Sequence, residues 1–163
     1  MLGYDKVLAM NSGAEANETA LKLARKWAYK VKGVPAYRAK IVAVQNNFHG
    51  RTLGIVSAST EAASTDHYGP FLPGFVIIPY NDLKALEEAL QDPDVCAFWV
   101  EPIQGEAGVI IPDYGYMSGI RKLCDQYNVL FMADEVQTGM ARTGKMLACD
   151  HELVRPDVLI LGK

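Results

Sequence analysis

Two side chains at the ends of apolar runs hold the most promising chemistry in this sequence. Asp134 follows Val129-Leu130-Phe131-Met132-Ala133. Lys163 comes 29 residues later, after Val158-Leu159-Ile160-Leu161-Gly162. A carboxylate at a buried strand end needs a cationic partner, because an unpaired buried charge is costly. A protonated pyridine nitrogen, a metal ion or an arginine would each serve. A lysine amine can attack a carbonyl or carry a proton. The spacing suits one βαβ crossover of about 30 residues, so adjacent strands would bring both groups into one crevice. A structural Asp–Lys pair would leave the same trace.

Other polar groups follow further apolar runs. Asn11-Ser12-Gly13 comes after Val7-Leu8-Ala9-Met10, and Asn47-Phe48-His49-Gly50-Arg51 after Ile41-Val42-Ala43-Val44. Glu101-Pro102-Ile103-Gln104-Gly105-Glu106 comes after Ala97-Phe98-Trp99-Val100, and Glu135-Val136-Gln137 follows Asp134. In open α/β sheets ligands bind beyond the carboxyl ends of the strands, so these loops predict one shared site. Ser12-Gly13-Ala14 lies where a strand should turn into a helix. Small residues and free N–H groups there could cradle a phosphate, although a plain serine N-cap has the same appearance.

Other motifs compete. Gly139-Met140-Ala141-Arg142-Thr143-Gly144-Lys145-Met146 fits seven positions of a nucleotide-binding phosphate loop, and Asp134-Glu135 resembles its acidic partner motif. The eighth position is methionine, which has no hydroxyl for Mg²⁺, and the acids precede the glycines on the same loop. His49, His67 and His151 have no metal-ligand spacing and read as surface or satisfied loop histidines. No metal site is expected. Ser57 and Ser59 lack a nucleophile elbow. Cys96 and Cys124 fall on apolar stretches, and the odd total of three, with Cys149, suggests free thiols in a reducing compartment.

Those residues must be held by a layered domain. Six apolar runs read as strands: 7–10, 41–44, 75–78, 97–100, 129–132 and 158–161. Helices are expected at 14–31, with Ala20, Leu23, Ala24, Trp27 and Val31 on its apolar face, then after a cap at Asn81 or Asp82, and at 115–127. Residues 59–73 read as a long loop. Continuous apolar strands separated by helices predict an α/β fold with a mostly parallel sheet between helical layers. Half of the 163 residues are hydrophobic, enough for a sizeable core, and the net charge is −3 with both signs mixed. That balance argues against nucleic acid as a partner, and no apolar run approaches the ~20 residues that span a membrane. A soluble intracellular protein is expected, in the cytoplasm or the mitochondrial matrix.

The motifs in order resemble the class III aminotransferases, which are fold-type-I pyridoxal-phosphate enzymes. MNSGAEANETALKLAR from Met10, NNFHGRTLG from Asn46, EPIQGEAGVIIP from Glu101, ADEVQTGMARTG from Ala133 and RPDVLILGK from Arg155 carry the resemblance through the whole chain. YGPFLPGF from Tyr68, IIPYNDL from Ile77 and Glu106-Ala107-Gly108 are most similar to the branch acting on the ω-amine of ornithine. Enzymes acting on acetylornithine, or on other ω-amino acids, share most of the rest.

The resemblance implies a role for each matching residue. Lys163 would be the Schiff-base lysine and the proton carrier, and Asp134 would keep the pyridine nitrogen protonated. Phe48 and Val136 would cover the two ring faces, and Gln137 would bond the ring oxygen. Ser12, Gly13 and Ala14 would hold the phosphate. Arg51 would pair with a substrate carboxylate, Glu106 would sit in the substrate pocket, and Glu101 would lie nearby. Amino acid and 2-oxo acid substrates and a homodimer are likewise implied. Residues 1–163 are expected to be part of the large cofactor-binding domain, with its remainder and a small domain elsewhere, and to be inactive alone.

Overall fold

The computed structural model describes residues 2–163. Five parallel strands form one sheet: β1 (Lys40–Val44), β2 (Phe75–Ile78), β3 (Val95–Val100), β4 (Leu130–Asp134) and β5 (Val158–Ile160). Their order is β2-β1-β3-β4-β5. Each strand has the apolar run expected of it, and β1, β3 and β4 are buried almost throughout.

Helix α1 (Gly13–Trp27) continues into a wider π turn at Ala28–Lys32. The short turn α2 (Leu53–Val56) precedes the stretch expected to be loop, α3 (Ala62–Thr65) interrupts it, and α4 (Leu83–Leu90) and α5 (Tyr116–Gln126) follow. Asp82 caps α4, accepting the Ala85 N–H at 2.9 Å.

Strand alternation builds two cores. Val42, Val44, Phe98, Val100 and Phe131 face α4 and α5, where they meet Leu86, Leu90, Met117 and Ile120. Ile41, Ala43, Ala97, Trp99 and Met132 face the other way, against Ala20, Leu21 and Ala24 of α1 and Ile55 of α2. The result is a three-layer α/β/α sandwich. Burying a side chain such as Phe131 contributes about 1.5–3 kcal/mol. The strand order reverses between β1 and β3, the kind of switch point at which such sheets open a binding crevice.

Two expectations need correction. Residues 7–10 form no strand: Val7 is 91% exposed and Leu8 70%. An extended apolar run becomes a strand only with a ladder partner, and this one has none among the described residues. The segment is held instead through Tyr4, whose hydroxyl donates to Pro156 O and whose ring lies under Arg155. Along α1 and the π turn, Leu23 and Val31 point outward, and the buried stripe is Ala20, Leu21, Ala24 and Ala28. Alanines let the helix lie close to the sheet, and the π turn rotates Val31 away. No described helix is long and apolar enough to cross a membrane.

Candidate active site

A cleft opens over the carboxyl ends of β1, β3 and β4. Gly13 and Ala14 line it from the start of α1, Phe48, His49 and Gly50 from the loop after β1, and Glu101 and Ile103 from the loop after β3. Asp134, Val136, Gln137 and Thr138 come from the end of β4, and Lys163 from beyond β5. β4 and β5 are neighbours, so the crossover does bring Asp134 and Lys163 into one crevice.

The N-terminal end of α1 points its first N–H groups toward this cleft. Ser12 is the N-cap, its hydroxyl accepting the Glu15 N–H at 3.2 Å. The N–H groups of Gly13 and Ala14 find no acceptor among the described residues. They leave a donor pair with the positive end of the helix dipole behind it, suited to an anion. Space is tight: a Cβ on Gly13 would lie 2.9 Å from Val136 Cγ1.

Asp134 is 4% exposed and heavily bonded. Its Oδ2 meets His49 Nδ1 at 2.6 Å and Asn17 Nδ2 at 2.9 Å, and its Oδ1 accepts the Val136 N–H at 3.0 Å. Glu101 is also buried, and its Oε2 accepts the Phe48 N–H at 2.9 Å, fixing the aromatic loop. Burial pushes the Glu101 carboxyl from its ordinary 4.5 up to about 7, against the opposing pull of His49.

Lys163 lies at the rim, its amine 4.0 Å from Glu106 Oε1. The same oxygen is 3.4 Å from Gln137 Nε2. Arg51 is exposed, its guanidinium 5.1 Å from the Phe48 ring centre. A flat ring between Phe48 and Val136 would meet a carboxylate at Asp134, an amine at Lys163 and anion donors at α1. The donor set fits a phosphorylated pyridine aldehyde.

The aminotransferase class-III family model matches residues 1–163. The chain belongs to this family. A mitochondrial ornithine aminotransferase from Rattus norvegicus is 64% identical over all 163 residues, which span 37% of that protein. The crystal structure of an ornithine aminotransferase from Toxoplasma gondii ME49 superposes with a TM-score of 0.99 at 56% identity, covering 99% of this chain and 38% of that one. An acetylornithine aminotransferase structure from Elizabethkingia anophelis has a TM-score of 0.82 at 53% identity, covering 99% and 36%. The chain thus spans well under half the length of these relatives. Its sheet and flanking helices are those of the fold-type-I aminotransferases.

Within this class-III frame the phosphate-loop alternative loses its geometry. Residues 139–147 are turns and bends that no strand enters directly, and only a five-residue 3₁₀ turn, Ala148–Glu152, follows. Lys145 is exposed and bonds Asp150 O. His49 is not a surface histidine. It is 3% exposed, stacked on Trp99 with ring centres 3.8 Å apart, and paired with Asp134. Cys96, Cys124 and Cys149 are free and buried.

Sequence reasoning gave no individual role to Asn17, Gly50, Ile103 and Thr138, which line the cleft wall. Asn17 was within reach: it lies four residues after Gly13, on the same helical face. Ile103 and Thr138 gave no signal of their own.

Proposed function

We propose that the full-length protein is an aminotransferase using pyridoxal phosphate, and that it moves the ω-amine of ornithine to 2-oxoglutarate, giving glutamate-5-semialdehyde and glutamate. The observation that carries this reading is the convergence of Asp134 and Lys163 on one cleft whose third side is the open N-terminus of α1. The names of the rat and Toxoplasma relatives support ornithine as donor.

The residues divide the work by position. Gly13 and Ala14, with Ser12 as cap, would hold the phosphate on their N–H groups. Phe48 and Val136 would sandwich the ring, and Gln137 would bond its oxygen. Asp134 would hold a proton on the ring nitrogen, as a buried carboxylate favours an adjacent cation. When bound, pyridoxal phosphate supplies an electron sink for negative charge at the substrate carbon. Lys163 would anchor the cofactor covalently and then move a proton at that carbon through Nζ. Arg51 would grip a substrate carboxylate with its planar fork. Glu106, beside Lys163 and Gln137 at the rim, would adjust the fit of the substrate. Glu101 would hold the Phe48 loop in place.

We further take the working enzyme to be a homodimer in the cytoplasm or mitochondrial matrix, in keeping with the resemblance and with the rat relative's name. Residues 1–163 would be part of its large domain. A second reading, with acetylornithine or another ω-amino acid as donor, has the Elizabethkingia structure in its favour.

The test is kcat/KM of the purified full-length enzyme for ornithine and for acetylornithine, each with 2-oxoglutarate. Ornithine should be the better donor. A preference for acetylornithine would move the assignment to the second reading, and absence of any transfer would overturn both. Lys163→Ala should abolish the covalent cofactor adduct that borohydride makes permanent, read by mass spectrometry. An adduct retained on the same peptide would show that another amine does the work.

A further inference from the structure

Glu106 and Gln137 meet at the cleft rim from two different loops, and the residue that sets their approach has no side chain. Residues 104–110 form a tight hairpin. Gln104 N–H donates to Ile110 O at 3.1 Å, and Ile110 N–H donates back to Gln104 O at 2.8 Å. The N–H groups of Gly108 and Val109 both donate to Gly105 O at 3.1 Å. The buried Gln104 amide donates to Gln45 O at 2.8 Å, which pins the hairpin to the end of β1.

Gly105 lies between this anchor and Glu106. A Cβ built on it would overlap Gln137 Oε1 and lie 2.7 Å from Gln137 Cδ, and the three nearest atoms all belong to that side chain. The Gly105 backbone lies outside the left-handed region, so its dihedrals admit alanine. An added methyl would meet a pinned hairpin on one side and the far end of a flexible side chain on the other. The Gln137 amide must therefore give way. That amide has two N–H donors. Glu106 Oε1, at 3.4 Å, takes one, and the other is left for an acceptor in the cleft that Gln137 lines.

We propose that Gly105 is a positioning residue for the reaction. Its bare backbone seats the Gln137 amide so that the remaining N–H faces the ring oxygen of the cofactor. This rests on the reading above that pyridoxal phosphate occupies the cleft and that Gln137 bonds its ring oxygen. A side chain at position 105 would swing the amide off that oxygen without unfolding the hairpin.

The experiment uses the full-length enzyme as wild type, as Gly105→Ala, as Gln137→Ala and as the double variant. Gly105→Ala should raise the dissociation constant for pyridoxal phosphate by about tenfold, the worth of one hydrogen bond to a charged group, while the cofactor-free protein melts close to wild type. Gln137→Ala should weaken binding as much. Adding Gly105→Ala to it should weaken binding no further, because the group that the methyl displaces is already gone. Cofactor absorbance gives a second readout. A donor stabilises negative charge on the ring oxygen and loosens its hold on the proton it shares with the lysine link. Displacing Gln137 should therefore raise the pH midpoint of the absorbance change in both single variants.

A further loss of affinity on adding Gly105→Ala to Gln137→Ala would overturn the proposal, since Gly105 would then act through another group. Unchanged affinity and midpoint in Gly105→Ala would overturn it too. Should Gly105→Ala fail to fold, the double variant decides. Recovery of the fold would locate the overlap at Gln137 and support the seat, and failure of both would locate it in the hairpin and overturn the role. If the wild-type enzyme binds no pyridoxal phosphate, the functional reading itself falls, an outcome separate from anything the Gly105 variants do.

Discussion

Asp134 and Glu101 are two buried carboxyl groups in one cleft with opposite surroundings. Asp134 receives three donors, from His49, Asn17 and Val136. Asp134→Asn would keep the shape and remove the charge, so catalytic turnover should fall by more than about tenfold while cofactor stays detectable by absorbance. Near-normal turnover would make Asp134 a structural group only. Glu101 receives a single backbone donor, and burial dominates, raising it to about 7. Its folded-state value lies above its ordinary 4.5, so charging it opposes the fold. That contribution to stability is full below 4.5 and is lost as pH rises through about 7. Glu101→Gln keeps an acceptor for Phe48 and removes the titration. Denaturant unfolding of the full-length enzyme should therefore show a flatter pH profile across this window, with the variant the more stable of the two at pH values above it. An unchanged slope would place the carboxyl in water rather than in the cleft wall.

At the scale of elements, the cleft depends on how closely the loop after β1 approaches the start of α1. Gly50 has φ +133°, and a Cβ there would lie 2.8 Å from Ala14 Cβ. Only glycine fits both the dihedral and the space. Gly50→Ala should push the Phe48 loop off the helix end, costing about 1–3 kcal/mol of stability by overpacking. The same displacement should weaken cofactor affinity, because Phe48 and the Ala14 N–H group then separate. Calorimetric melting and a cofactor titration would check both, and a variant that melts and binds like wild type would show the contact to be slack. On the sheet's other face, α4 and α5 pack on β1, β3 and β4, and none of their residues lines the cleft.

Taken whole, residues 1–163 expose much apolar surface. Val7, Leu8, Val31, Val109 and Ile111 are each at least 68% exposed, and the outer sides of β2 and β5 have no strand beside them among the described residues. Unpaired edges next to apolar surface invite association. Expressed by itself, this stretch should aggregate or unfold without a sharp transition, and it should hold pyridoxal phosphate far more weakly than the full-length enzyme. Near-UV circular dichroism, denaturant titration and cofactor absorbance would test this. A soluble monomer with a cooperative transition and stoichiometric cofactor would refute it.

Read alone, the sequence determined the strand and helix periods, and with them the parallel α/β class. Continuous runs such as Ala97–Val100 leave little choice but a strand buried on both faces. It also marked loops that line the cleft, since Asp134 and Lys163 stand directly behind such runs, and motifs in series pointed to one family. Tertiary structure decided the rest. Whether 7–10 pairs depends on a partner far away in sequence, and nothing within the run encodes that partner. The buried stripe of α1 is chosen by distance to the sheet, which favours Ala28 over Leu23. His49 became part of the site only because Trp99, Asn17 and Asp134, from three separate elements, meet around it. A lone histidine in sequence bears no mark of such a meeting, because burial and hydrogen-bond partners are properties of the packed chain.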